Sequence, residues 1–109
     1  EISACLVGSE MCIRDRLCYH VEWLRGQGST PIHEASMAKV YSADLSVRIA
    51  DAGVQILGLY GQLGKSSKWA PLSGTSPEAY LSYPAWTIGG GSPEIQKNII
   101  ATMGLGLPR

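Results

Sequence analysis

The sequence predicts an all-α fold: a fragment of an up-and-down helical bundle that also carries a long irregular loop. Three observations lead there. Apolar residues recur at three- and four-residue steps from about Pro31 to Leu57, the spacing of one helix face. The pairs Thr30-Pro31 and Ser92-Pro93 each stand before such a pattern, as helix starts do. The chain has no Phe and relies on Leu, Ile, Val and Ala, with three Trp and five Tyr, a composition that favours helical packing.

The first segment reads differently from the rest. Leu6 to Arg16, LVGSEMCIRDR, resembles the translation of a transposon-end adapter used in preparing sequencing libraries, and Cys5 fits the same frame. Residues 1–16 are therefore expected to be non-native and are set aside from fold reasoning. The alternative is a natural loop carrying the mixed charges of Glu10, Arg14, Asp15 and Arg16.

From residue 17 onward the elements follow in order. Leu17, Val21 and Leu24 fall at helical spacing, and the glycines of Arg25-Gly-Gln-Gly-Ser end that helix. Thr30 is a preferred N-cap and Pro31 suits the first helical position, with Glu34 in the first turn. Ala38, Tyr41, Leu45, Ile49, Ala52 and Ile56 form one apolar row, and Val40, Val47 and Val54 a second. Two rows imply more than one neighbouring helix. Asp44 and Arg48 stand four apart, at pairing distance on a solvent face. Such a helix is about 40 Å long, more than a domain of 109 residues needs. Gly58, Gly61 and Gly64 end it. Residues 64–86 hold Pro71, Gly74, Pro77 and Pro84 and are expected to form a long ordered loop with one short helix near Pro77 to Leu81. Ser92, Pro93 and Glu94 then start a last helix ending near Gly104, with Ile95, Ile99 and Met103 as its buried stripe.

Composition excludes several classes of function. Net charge is zero and no basic run offers a nucleic-acid surface. No stretch approaches the roughly 20 apolar residues of a membrane span, and no secretory pattern is visible. Cys5, Cys12 and Cys18 lack the spacing of a zinc site or a disulfide framework, so a reducing, cytoplasmic compartment is expected. His20 and His33 lie on different elements without a third ligand, which favours surface or cap roles over metal binding. Ser36, Ser42 and Ser46 have no nearby base to make them nucleophiles.

The chemistry concentrates at Gly89-Gly90-Gly91-Ser92-Pro93-Glu94. Glycines let a backbone pass close to a ligand and reach positive φ. The first N–H groups of a helix lack internal partners and carry partial positive charge. Together they suit an anion or a carbonyl oxygen: a pyrophosphate, a ribityl hydroxyl or a thioester. A flexible loop before a helix is the plainer alternative.

Three runs in this order resemble the acyl-CoA dehydrogenase family: Ala38-Lys39, then VQILGLYG from Val54 to Gly61, then TIGGGSPEIQKNIIA from Thr87 to Ala101, followed by GLGLPR. The resemblance covers Ser29 to Arg109, about three quarters of the chain. It implies the C-terminal helical domain of an FAD-dependent enzyme that removes hydrogens from the α and β carbons of an acyl-CoA thioester. The flavin site would be shared across a subunit interface of a homo- or hetero-tetramer, and electrons would pass on to electron-transfer flavoprotein. By position, Gln55, Gly58, Gly61, Gly91, Ser92 and Glu94 are the cofactor-facing candidates. In many members a Glu just before the last loop's Gly-Thr takes the α-proton, the β-hydrogen leaving as hydride to the flavin. Here Gly90 holds that position, so this chain supplies no base.

Other departures are Leu59, where the family's Gly-Gly turn has its second glycine, and the stretch from Lys68 to Trp86, which replaces the family's Arg-Asp-Ala-Arg run. They point to a divergent, bacterial-type branch. Two rival readings remain open. One is a stand-alone helical interaction module; the other is a related flavoenzyme of the same fold, an acyl-CoA oxidase or a nitroalkane oxidase.

Overall fold

The computed structural model describes the backbone of residues 2–108 and the side chains of residues 8–108. The described residues form four α-helices with short 3₁₀ and π segments between and after them, and no strand. The helices are α1 (Ile2–Gly26), α2 (Ile32–Leu57), α3 (Thr75–Ile88) and α4 (Pro93–Ile99). The chain divides into two compact units, one of Glu1–Ser42 with Gly90–Arg109 and one of Ala43–Gly89.

In the first unit, α1 is continuous through the segment that resembles an adapter. Cys12 and Cys18 are exposed free thiols, whereas the side chains of Cys5 and Leu6 lie outside the described residues. The expected glycine stop is realised at Gly28, with φ +79°. The Ser29 N–H reaches back to the Leu24 carbonyl at 3.1 Å, closing the helix with a left-handed glycine. Helix α2 starts one residue later than the Thr-Pro pair predicts. A tight turn places the Ile32 N–H 3.0 Å from the Thr30 carbonyl, and the first helical bond runs from Ala35 N–H to the Pro31 carbonyl at 3.1 Å. Pro31, not Thr30, therefore stands at the cap.

The predicted apolar rows of α2 are buried at Ala38 in the first unit and at Leu45 in the second, where Ala50, outside both rows, is buried as well. Arg48 and Asp44 pair at 3.0 Å, as their spacing predicts. Ile56, expected on the same apolar row, is 80% exposed, since the helix ends one residue later and the chain turns away.

The expected long loop is mostly structured. A 3₁₀ turn spans Pro71–Gly74, and α3 takes the next fourteen residues. The prolines mislead because position decides what a proline does. Pro77 lies in the first turn of α3, where an N–H would have no helical partner. Pro84 sits inside the helix and removes one bond, to the Tyr80 carbonyl, without ending it. The approach to α3 is strained: Leu72 and Ser73 both have positive φ, at 50° and 54°.

The last helix also departs from its expected stripe. Ile95 and Met103 are each 55% exposed, while the buried residue of α4 is Gln96. After Ile99 the backbone widens into a π segment over Ile100–Gly104, closed by the Leu105 N–H on the Ile100 carbonyl.

Candidate functional site

The six candidate positions fall three to a unit: Gln55, Gly58 and Gly61 in one, Gly91, Ser92 and Glu94 in the other. At the end of α2, Gln55 is exposed and its Nε2 donates to Asp51 Oδ2 at 2.7 Å. Gly58 has φ +56° and open space where a side chain would begin. Gly61 is different: a methyl group there would lie 2.8 Å from the Val54 carbonyl oxygen and 3.0 Å from Leu57 Cβ. Its glycine is required by the chain's own packing, whatever else it touches.

In the other unit, Gly90 and Gly91 form a turn with φ of +73° and +104°. Such angles are routine for glycine alone. A side chain at Gly90 would meet nothing within 4 Å, while one at Gly91 would lie 2.7 Å from Gln96 Nε2. Both carbonyls of the turn are already engaged. Gln96 Nε2 donates to the Gly90 oxygen at 2.9 Å, and Lys39 Nζ donates to the Gly91 oxygen at 2.6 Å. The apolar period of α2 puts Lys39 on the solvent face, but its side chain is half-buried and turned to this carbonyl; the sequence gives Gln96 no separate role. Lys39 is 52 residues from its acceptor, so no local pattern could have paired them. Gln96 was detectable only as a polar residue on a helix expected to bury isoleucines.

Ser92 caps α4 as predicted, its Oγ accepting from the Ile95 N–H at 3.5 Å. The Glu94 carboxylate is held below the usual range chiefly by a hydrogen bond from the Ser92 side chain, then by its own backbone N–H, with Lys97 and Lys39 adding attraction. At this helix start the Ile95 N–H bonds to the Ser92 Oγ and the Gln96 N–H to the Ser92 carbonyl, while Pro93 has no N–H to offer.

Among the described residues, no three His, Cys, Asp or Glu side chains group to hold a metal ion. No described helix is long and apolar enough to cross a membrane. His20 stacks on Trp23 with ring centroids 6.0 Å apart. His33 lies 3.3 Å from Glu34.

Comparison with known proteins identifies the domain. The profile of the acyl-CoA dehydrogenase C-terminal domain matches residues 9–105. The acyl-CoA dehydrogenase FadE26 of Mycobacterium tuberculosis is 34% identical over 76 residues, covering 70% of this chain and 19% of that protein. The crystal structure of the ChsE4–ChsE5 complex from Mycobacterium tuberculosis superposes over 99% of this chain and 28% of its own, with TM-score 0.88 and 26% identity. The Tcur3481–Tcur3483 steroid acyl-CoA dehydrogenase superposes over 98% of this chain and 28% of its own, with TM-score 0.93. At 22% identity that likeness speaks for the fold alone. The chain thus spans about a fifth of the curated relative and little more than a quarter of each solved chain. With the profile matched across nearly its whole length, the chain belongs to the acyl-CoA dehydrogenase family, in the region of its C-terminal domain.

Proposed function

We propose that this chain is part of an FAD-dependent acyl-CoA dehydrogenase, contributing cofactor contacts and subunit packing to a reaction whose base lies elsewhere. The observation that carries the reading is the match of the C-terminal domain profile to residues 9–105, a span that includes the open, left-handed Gly90. The family is generally FAD-dependent. When bound, FAD supplies the hydride acceptor for α,β-dehydrogenation of a thioester. The chain's own part is narrower. Gly58 and the Gly90–Gly91 turn, open at Gly90, allow backbone approach, Gln55 offers an amide, and Ser92 with Glu94 fixes the start of α4. Gly61 serves the turn that carries its neighbours. Gly90 cannot remove a proton, so the α-proton must go to a carboxylate outside this segment or on a partner subunit. Assembly as a homo- or hetero-tetramer, and electron delivery to electron-transfer flavoprotein, belong to the same reading.

The test is to recover the gene upstream of Leu17 and express the uninterrupted protein. The expected product is yellow, retains FAD through gel filtration and reduces an artificial electron acceptor when given acyl-CoA. A native start codon near Leu17, or a longer protein without flavin, would sink the reading in favour of a helical interaction module. The isolated chain is expected to show no tight, stoichiometric FAD complex on titration. The same gene sequence tests the non-native origin of residues 1–16, which rests on the contiguous Leu6–Arg16 resemblance. Continuation of the native frame through those residues, in line with the profile match from residue 9, would remove it.

A further inference from the structure

The Gly90–Gly91 turn is gripped from two helices. The Lys39 bond to the Gly91 carbonyl fixes the peptide plane between residues 91 and 92. The Gln96 bond to the Gly90 carbonyl fixes the plane between residues 90 and 91. Gln96 is only 9% exposed and Lys39 is half-buried, so water competes weakly for either donor. Unheld, two consecutive glycines sample positive and negative φ about equally. The turn nevertheless stands at +73° and +104°. The absence of a Cβ at Gly91 is what lets Gln96 Nε2 come so near.

We propose that Lys39 and Gln96 are positioning residues that lock the Gly90–Gly91 turn in a single conformation and so hold the open backbone edge at Gly90 ready for a ligand. The proposal deepens the flavoenzyme reading and rests on it for the nature of the ligand; the lock itself does not depend on flavin.

The experiment has two arms. In the isotopically labelled 109-residue chain, the Lys39 ammonium should exchange its protons more slowly than that of exposed Lys68. Lys39→Met should speed amide exchange at Gly91 and Ser92 by about tenfold, the size of a lost charge-assisted hydrogen bond. Amides around Leu45 should not change, and Lys39→Arg should restore part of the protection. If Lys39→Met unfolds, Gln96→Leu gives the same reading at Gly90 and Gly91. A Lys39 ammonium that exchanges as fast as Lys68, or unchanged turn amides in a folded variant, overturns the lock. In the full-length flavoprotein, Lys39→Met should raise the FAD dissociation constant about tenfold and shift the flavin absorption band, with Lys39→Arg intermediate. Equal FAD affinity and an unshifted band overturn the positioning role. A full-length protein that binds no flavin fails the functional reading and leaves the first arm to judge the lock.

Discussion

Two glycine-rich regions of this chain look alike in sequence and are built for opposite ends. In the Ala43–Gly89 unit, Gly61 and Gly74 are glycines because backbone presses on them. A side chain at Gly61 would meet Val54, and one at Gly74 would lie 2.5 Å from the Lys65 nitrogen. In the other unit, a side chain at Gly90 would meet nothing within 4 Å, and the turn is held by bonds to its carbonyls. The first kind of glycine closes a packed corner; the second leaves an edge open. A glycine count therefore marks sites of close approach without saying whether the visitor is the chain itself or a ligand.

Substitutions can break that contrast or sharpen it. The largest effect is expected for Gly74→Ala, which combines a φ of +72° with a backbone clash. Chemical denaturation followed by helical circular dichroism should show a loss of about 2–5 kcal/mol. Gly61→Ala, crowded but without positive φ, should cost about 1–3 kcal/mol in the same measurement. Gly90→Ala should cost only about 1 kcal/mol, from backbone strain alone. If Gly90→Ala proved as damaging as Gly74→Ala, the distinction between open and packed glycines would fail. Ser92→Ala should cost about 0.5 kcal/mol, because its cap bond is long and exposed.

The smallest effect is that of pH on Glu94. Its folded pKa is lowered, first by Ser92, so the contribution is full above the ordinary glutamate value of about 4.3. It is lost as pH falls through the folded value. NMR titration of the Glu94 side-chain carboxyl carbon should place its midpoint below the ordinary glutamate value of about 4.3.

Much of the fold was legible because α2 declares itself. Its apolar period, its Asp44–Arg48 pair and its glycine stop are all local signals, and local signals survive in a single sequence. Ser92 was legible for the same reason. The course of residues 64–86 was not, since Pro77 and Pro84 read as breakers until their places within α3 are known. The Lys39–Gly91 bond was invisible because it joins residues that only tertiary structure brings together.

The π segment after Ile99 has a consequence for how the chain leaves its last helix. The closing bond runs from the Leu105 N–H to the Ile100 carbonyl, one residue further along than an α-turn would reach. The described residues past Gly104 are no longer helical, so the wide turn is the helix's stop and moves the exit of the final segment by one position.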